Sequence, residues 1–158
     1  MDWAGWATFG FVATVILTGI MVAGQLLGFS RMDLPYMLGT ILAEDPDRAR
    51  VIGFIIHLLN GQVFALVYTG AFALIGSSSW WLGGLFGLIH GLAALTVIVP
   101  LLPGIHPRMA SERSGPELHT VLEPPGPFGL NYGRETLVFT LTAHAAYGAL
   151  LGGFIGPG

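Results

Sequence analysis

Four apolar runs, at residues 4–28, 51–76, 80–103 and 135–157, constrain this chain more than anything else in it. Each meets the roughly 20 residues that a helix needs to cross a hydrocarbon core of about 30 Å. A soluble domain of 158 residues has no use for four such runs. The mean hydropathy of +0.72 and a charged fraction of 9% agree with a membrane interior as solvent. The first run has acidic Asp2 where a cleaved leader carries basic residues, so it reads as a retained span. The sequence therefore predicts an all-α integral membrane four-helix bundle, with residues 1–158 as a single transmembrane domain.

All six basic residues are arginines, and they sit on two connections: Arg31, Arg48 and Arg50 on the first, Arg108, Arg113 and Arg134 on the third. Seven of the nine acids share those connections and Glu135 adjoins the third, leaving only Asp2 elsewhere. Positive charge marks the cytoplasmic side, which puts residues 29–50 and 104–134 inside and both termini outside. The tryptophans Trp3, Trp6, Trp80 and Trp81 fall at the opposite end, where amphipathic rings favour the headgroup level. There the second connection shrinks to a tight hairpin at Ser77, Ser78 and Ser79.

The stretch "RMDLPYMLGTIL" offers Asp33 as a helix cap with Pro35 in the first turn, predicting an interfacial helix near residues 34–43. Residues 104–134 contain five prolines and predict an irregular cytoplasmic cap. His106, Arg108 and Arg113 are its candidate anchoring residues, and Phe128, Leu130 and Tyr132 are expected to pack on the bundle mouth. Both halves of the chain run span, "RM" loop, span, and both second members carry His-x-x-x-Gly, at His57–Gly61 and His144–Gly148. This echo fits either a parallel repeat of hairpins or chance among glycine-rich segments.

Within the spans the polar residues fall into stripes. At about 100° per residue, His57, Asn60, Gly61, Phe64 and Tyr68 share a face, with Gly53 a turn earlier. Thr140, His144, Tyr147, Gly148 and Gly152 share another. Gly83, Gly87, His90, Gly91 and Ala94 form a small-residue seam on the third span. Polar groups in hydrocarbon need partners, and small residues allow close backbones, so the three faces are expected to meet in one interior. Counting a rise of ~1.5 Å per residue from the cytoplasmic ends puts His57 ~9 Å deep, His144 ~13 Å and His90 ~20 Å.

Several readings of that polar centre stand open. The histidines are neutral and hydrogen-bonded across helices as a packing device. His57 and His144 ligate a haem b, with glycines leaving room for the macrocycle and Arg50 or Arg134 near its propionates. His57, His90 and His144 form a proton or metal-ion ladder. The bundle takes a lipid, quinone or other apolar ligand. Cysteine is absent, which excludes disulfides, thiolate chemistry and cysteine-ligated metals. No nucleophile elbow, phosphate loop, zinc-protease motif or nucleic-acid-binding basic stretch occurs. The reading carried forward is a non-enzymatic membrane subunit, packed by its glycine seams in a larger assembly or a homo-oligomer; the GxxxGxxxG of Gly83, Gly87 and Gly91 serves either an external partner or the internal core.

The segments "MDLPYMLGT", "GLIHGL", "LLPGIHPRMASE" and "LEPPG…LNYGRETL…AHAAYGALLG" resemble an uncharacterised family of small bacterial four-span inner-membrane proteins. The resemblance runs from Met32 to Gly152 and is most specific in "PGIHPRMAS". It implies the four-span fold and a bacterial inner-membrane location, and it supplies no activity, cofactor or catalytic residue.

Overall fold

The computed structural model describes residues 2–111 and 120–157. It is helical, with no strand among the described residues, and four of its helical stretches are long and apolar enough to cross a membrane. This is an all-α bundle of a multi-pass membrane protein. Helix α1 spans Trp3–Leu26, α2 Leu34–Gly39 and α3 Pro46–Ile75. Helix α4 spans Trp80–Ala93, widens into a π turn at Ala94–Ile98 and continues as α5, Val99–Ile105. After the cap, α6 runs Thr136–Phe154.

Local chemistry sets the ends. The Asp33 carboxylate accepts from the Tyr36 N–H at 2.9 Å, with Pro35 in the first turn, which starts α2 at the anticipated place. Asp45 accepts from the Arg48 N–H at 2.9 Å and Pro46 opens α3, which stops at Gly76 in the left-handed region (φ 70°). The π turn lies just before Pro100. A proline cannot donate to the preceding turn and crowds its carbonyl, and an added residue in that turn relieves both. Pro107 then holds His106 extended (ψ 122°) and ends α5.

The bundle closes around α1 and α6. Helix α1 packs on both α3 and α6, and α4 packs along α6 in the most extensive pairing of the molecule. Helix α2 lies on the start of α3, where Gly39 and Gly53 bring backbone to backbone: a Cβ on either would overlap the facing main chain, Ala49 O or Pro35 O. Helices α3 and α4 differ. Although joined by the short turn at Ser77–Ser79, they stay apart along their length and meet through side chains, Phe72 stacking on Phe86 (5.7 Å) and Phe64 lying tilted against His90 (4.0 Å). The hairpin is tight in its turn and splayed in its legs. A cleft of about 290 Å³ remains between Phe64, Val67, Tyr68 and Ala71 of α3 and Phe86, Ile89, His90 and Ala93 of α4.

One end of the bundle gathers both described termini and the α3–α4 turn. Phe9 stacks on Phe154 at 4.9 Å, Trp6 Nε1 donates to the Gln62 carbonyl at 2.9 Å, and Trp80 lies beside Gly153. The arginine-bearing connections lie at the other end, knitted into one layer. Ser30 and Thr136 share a hydrogen bond at 2.8 Å, Arg31 pairs with Glu123 at 2.7 Å, and Met109 and Leu122 form a parallel bridge. Of the three apolar residues expected against the bundle mouth, only Tyr132 is buried (5% exposed); Phe128 and Leu130 stay 40% and 43% exposed. The 3-10 turn Pro127–Tyr132 explains this, because positive φ at Phe128 and Gly129 reverses the chain and turns the first two side chains away.

Candidate functional site

Glycine spacing on α4 and α6 builds the site's wall. A Cβ on Gly83 would overlap the Gly148 carbonyl oxygen, one on Gly87 that of His144, one on Gly152 that of Ser79, and one on Gly148 that of Gly83. The GxxxGxxxG seam is therefore committed to α6, and Gly91, the third member, touches the His144 side chain (3.0 Å to Cβ). Small residues let these two backbones touch, and dispersion between them replaces the side chains they lack.

That contact carries His90 and His144 together. Their rings meet edge to face at 4.8 Å, and the Tyr68 hydroxyl lies 3.4 Å from His90 Nδ1. His144 Nδ1–H donates to the Thr140 carbonyl at 2.8 Å, which fixes the hydrogen on that nitrogen. Tyr147 crosses to α3 and donates to the Gly61 carbonyl at 2.6 Å, with its ring perpendicular to Tyr68 at 5.6 Å. His57 is an electrostatic neighbour of both His144 and His90. So His57, Tyr68, His90, His144 and Tyr147 form one cluster, and Thr140 borders it. Two buried atoms in this group, His57 Nε2 and Thr140 Oγ1, have no hydrogen-bond partner.

His90, expected well beyond the other two, meets His144 directly. Residue counts from the ends of apolar runs assume that the runs begin level, whereas α3 starts at Pro46 and the α4–α5 helix continues to Ile105.

Asn60 is not in the cluster: it is exposed and makes no side-chain hydrogen bond among the described residues. Three residues beyond His57 is about 300° of rotation, which leaves Asn60 about 60° to one side of the inward stripe. There it aligns with Phe64, Val67 and Ala71, the α3 wall of the cleft. A flush α4 would have covered it; the splayed α4 does not.

The spaces beside the two histidine-linked glycines are filled. Thr14 of α1 occupies the site where a Gly61 side chain would lie, and the Gly83 backbone abuts Gly148. The glycines one turn from His57 and His144 are thus used in packing against α1 and α4. Among the described residues, no three histidine, aspartate or glutamate side chains are placed to hold a metal ion.

Two contributors carry little signal in the sequence. Thr14, which back-bonds to Gly10 O at 2.7 Å, seats α1 on Gly61, and Gln62 ties α3 to α1 by donating to Ala7 O at 3.1 Å. Only the four-residue spacing of Thr14 and Thr18 on α1 hints at this face.

At the arginine-rich end, His106 and Arg108 anchor the cap as a pair. The Arg108 N–H donates to His106 Nδ1 at 3.1 Å, so His106 Nε2 carries the hydrogen and donates to the Met37 carbonyl at 2.8 Å. The Arg108 guanidinium donates to the carbonyls of Thr40 and Ile41 and pairs with Glu44 at 3.2 Å. Arg113, the third expected anchor, lies outside the described residues. No protein-family model, curated protein or solved structure matches this chain.

Proposed function

We propose that the protein is a non-enzymatic accessory or structural subunit of a larger membrane assembly. It sits in the bacterial inner membrane with both termini outside and the 29–50 and 104–134 connections in the cytoplasm. The observation that carries this is Asn60. It lies near the middle of α3, Pro46–Ile75, and so near the middle of the hydrocarbon core that this helix is long enough to cross. Its amide is too short to reach either interface, and it has no side-chain hydrogen bond to any described residue of its own bundle. A polar group left in hydrocarbon is costly, and interhelical hydrogen bonding is the usual remedy. The glycine seam of α4 is spent inside the molecule, so the external contact falls to the α3 side. Native mass measurement of the protein extracted in mild detergent tests this: a species heavier than one 16.7 kDa chain is expected, and a lone monodisperse monomer overturns the reading.

A second reading is favoured by His57 Nε2 and Thr140 Oγ1, buried atoms of the polar centre with no partner among the described residues. Here the polar centre holds a small hydrogen-bonding ligand, or waters that pass a proton between Tyr68, His90, His144 and His57. Buried polar groups without protein partners are commonly bridged by water. Absorption spectroscopy and metal analysis of purified protein test it: colourless, metal-free material leaves water or a neutral organic ligand, and a Soret band lost in both His57→Ala and His144→Ala identifies the ligand as haem.

A further inference from the structure

Resting on the assembly reading above, we infer that the partner at the α3–α4 cleft is a second copy of this chain, bound with Asn60 facing Asn60 across a two-fold axis along the membrane normal. The face in question is continuous. Asn60, Phe64, Val67 and Ala71 line up on α3, Leu59 and Val63 are exposed beside them (62% each), and Phe86, Ile89 and Ala93 form the opposite wall on α4. Gly70 is open, with nothing near the position of a side chain, so a second helix can approach closely on this flank.

Tyr68 and His90, which also border the cleft, approach each other at 3.4 Å, whereas Asn60 makes no side-chain hydrogen bond to any described residue, and the chemistry of its amide selects the partner. A carboxamide both donates and accepts, so it is complementary to another carboxamide; no charge lies on the face to call for a counter-ion. Two copies inserted with the same topology hold equal residues at equal depth. When their α3 faces meet, the two amides are therefore level without further design, and a group near an isologous axis meets its own counterpart. Lipid chains can fill the apolar cleft but leave both amides unpaired. A helix from another protein satisfies Asn60 only if it carries a polar residue at that one depth.

The chain has no cysteine, so single thiols report directly on this arrangement. Asn60→Cys and Val63→Cys, oxidised in intact membranes, are expected to give a covalent species of twice the chain mass, whereas Val138→Cys on the exposed face of α6 is not. Because a thiol at 60 removes the amide, Val63→Cys keeps the reading independent of its loss. Dilution in bilayers, followed by energy transfer between labelled chains, supplies the second measurement. Asn60→Leu is expected to weaken self-association about tenfold, the scale of one to two interhelical hydrogen bonds, and Asn60→Gln to retain it. Crosslinking of residues 60 and 63 only to a different polypeptide overturns the self-pairing and leaves the assembly reading standing. A chain that is monomeric at every dilution and forms no crosslink overturns both. A dimer that links through Val138, or whose affinity is unchanged in Asn60→Leu, overturns the proposed interface.

Discussion

The Tyr147 hydroxyl donates to the Gly61 carbonyl oxygen at 2.6 Å, joining α6 to α3 across 86 residues of sequence. Gly61 lacks a side chain, which leaves its carbonyl reachable and gives Thr14 a seat on the same turn. One residue thus receives α1 and α6 together. The carbonyl keeps its ordinary helical donor, so removing Tyr147's hydrogen bond strands no acceptor. Tyr147→Phe is accordingly expected to cost about 0.6 kcal/mol and no more than about 1.7, the span found for interhelical hydrogen bonds in membranes. Reversible unfolding in mixed micelles measures this; a loss beyond that span would mean that the hydroxyl serves a further partner.

The α4–α6 crossing has no such slack. Because a Cβ on Gly148 would meet the Gly83 main chain, not a flexible side chain, relief requires the helices to separate. Gly148→Ala should destabilise the bundle by about 1–3 kcal/mol, the usual cost of overpacking. Gly84→Ala is the matched control, since its nearest neighbours would stand at an ordinary 3.8 Å. Equal stability of the two variants would contradict the close crossing.

In the cap, the carbonyl contacts of Arg108 outweigh its ion pair. The Glu44 carboxylate is 68% exposed, and such pairs contribute at most about 1 kcal/mol. Arg108→Ala should raise the cleavage rate of the 104–134 connection severalfold. Arg108→Lys should resemble the alanine variant, because one ammonium cannot span both carbonyls and the carboxylate as a planar fork does.

Tyr132 gives that cap a pH dependence. Burial, reinforced by the nearby Glu123 carboxylate, raises its phenol from 10.0 to about 12, while Arg31 opposes the shift. The hydroxyl donates to the Glu123 carbonyl at 2.7 Å, a bond that the phenolate cannot make. Since the folded value is the higher one, the stabilisation is complete below pH 10 and declines as pH rises toward about 12. Protection of the cap from proteolysis or hydrogen exchange should fall across that window in the wild type. In Tyr132→Phe it should be lower at neutral pH and flat through the same interval.

Much of this architecture can be read from the chain. Hydropathy alone marks the four long helices, and Asp33 with Pro35, and Asp45 with Pro46, mark two of the starts. The seam of Gly83, Gly87 and Gly91 announces a close helix contact without saying with which helix. Asn60 shows where reading by periodicity stops. A residue 60° from the inward stripe is covered or bare depending on how closely the next helix stands, and the aromatic pairs Phe64–His90 and Phe72–Phe86 hold α4 away. Relative heights are equally illegible, because prolines and a π turn change the length and tilt of one helix without changing its hydropathy. The meeting of His90 with His144 follows from the glycine crossing, not from depth.

Thr140 offers the sharpest test of what the polar centre holds. Its Oγ1 is buried and partnerless, and its hydroxyl occupies the volume of a methyl group. An unsatisfied buried hydroxyl costs about 1–3 kcal/mol, and replacing it by an apolar group of the same shape removes that cost. If the centre is dry packing, Thr140→Val should stabilise the bundle, and the His144 hydrogen bond to the residue-140 carbonyl should persist because it uses the main chain. If a water or small polar ligand bridges Thr140 Oγ1 and His57 Nε2, the same substitution should destabilise, and combining it with His57→Leu should cost less than the sum of the two. A double-mutant cycle read by unfolding in micelles separates the cases by sign. Stabilisation in Thr140→Val with additive His57→Leu excludes a bridging occupant and leaves the histidines as a packing device.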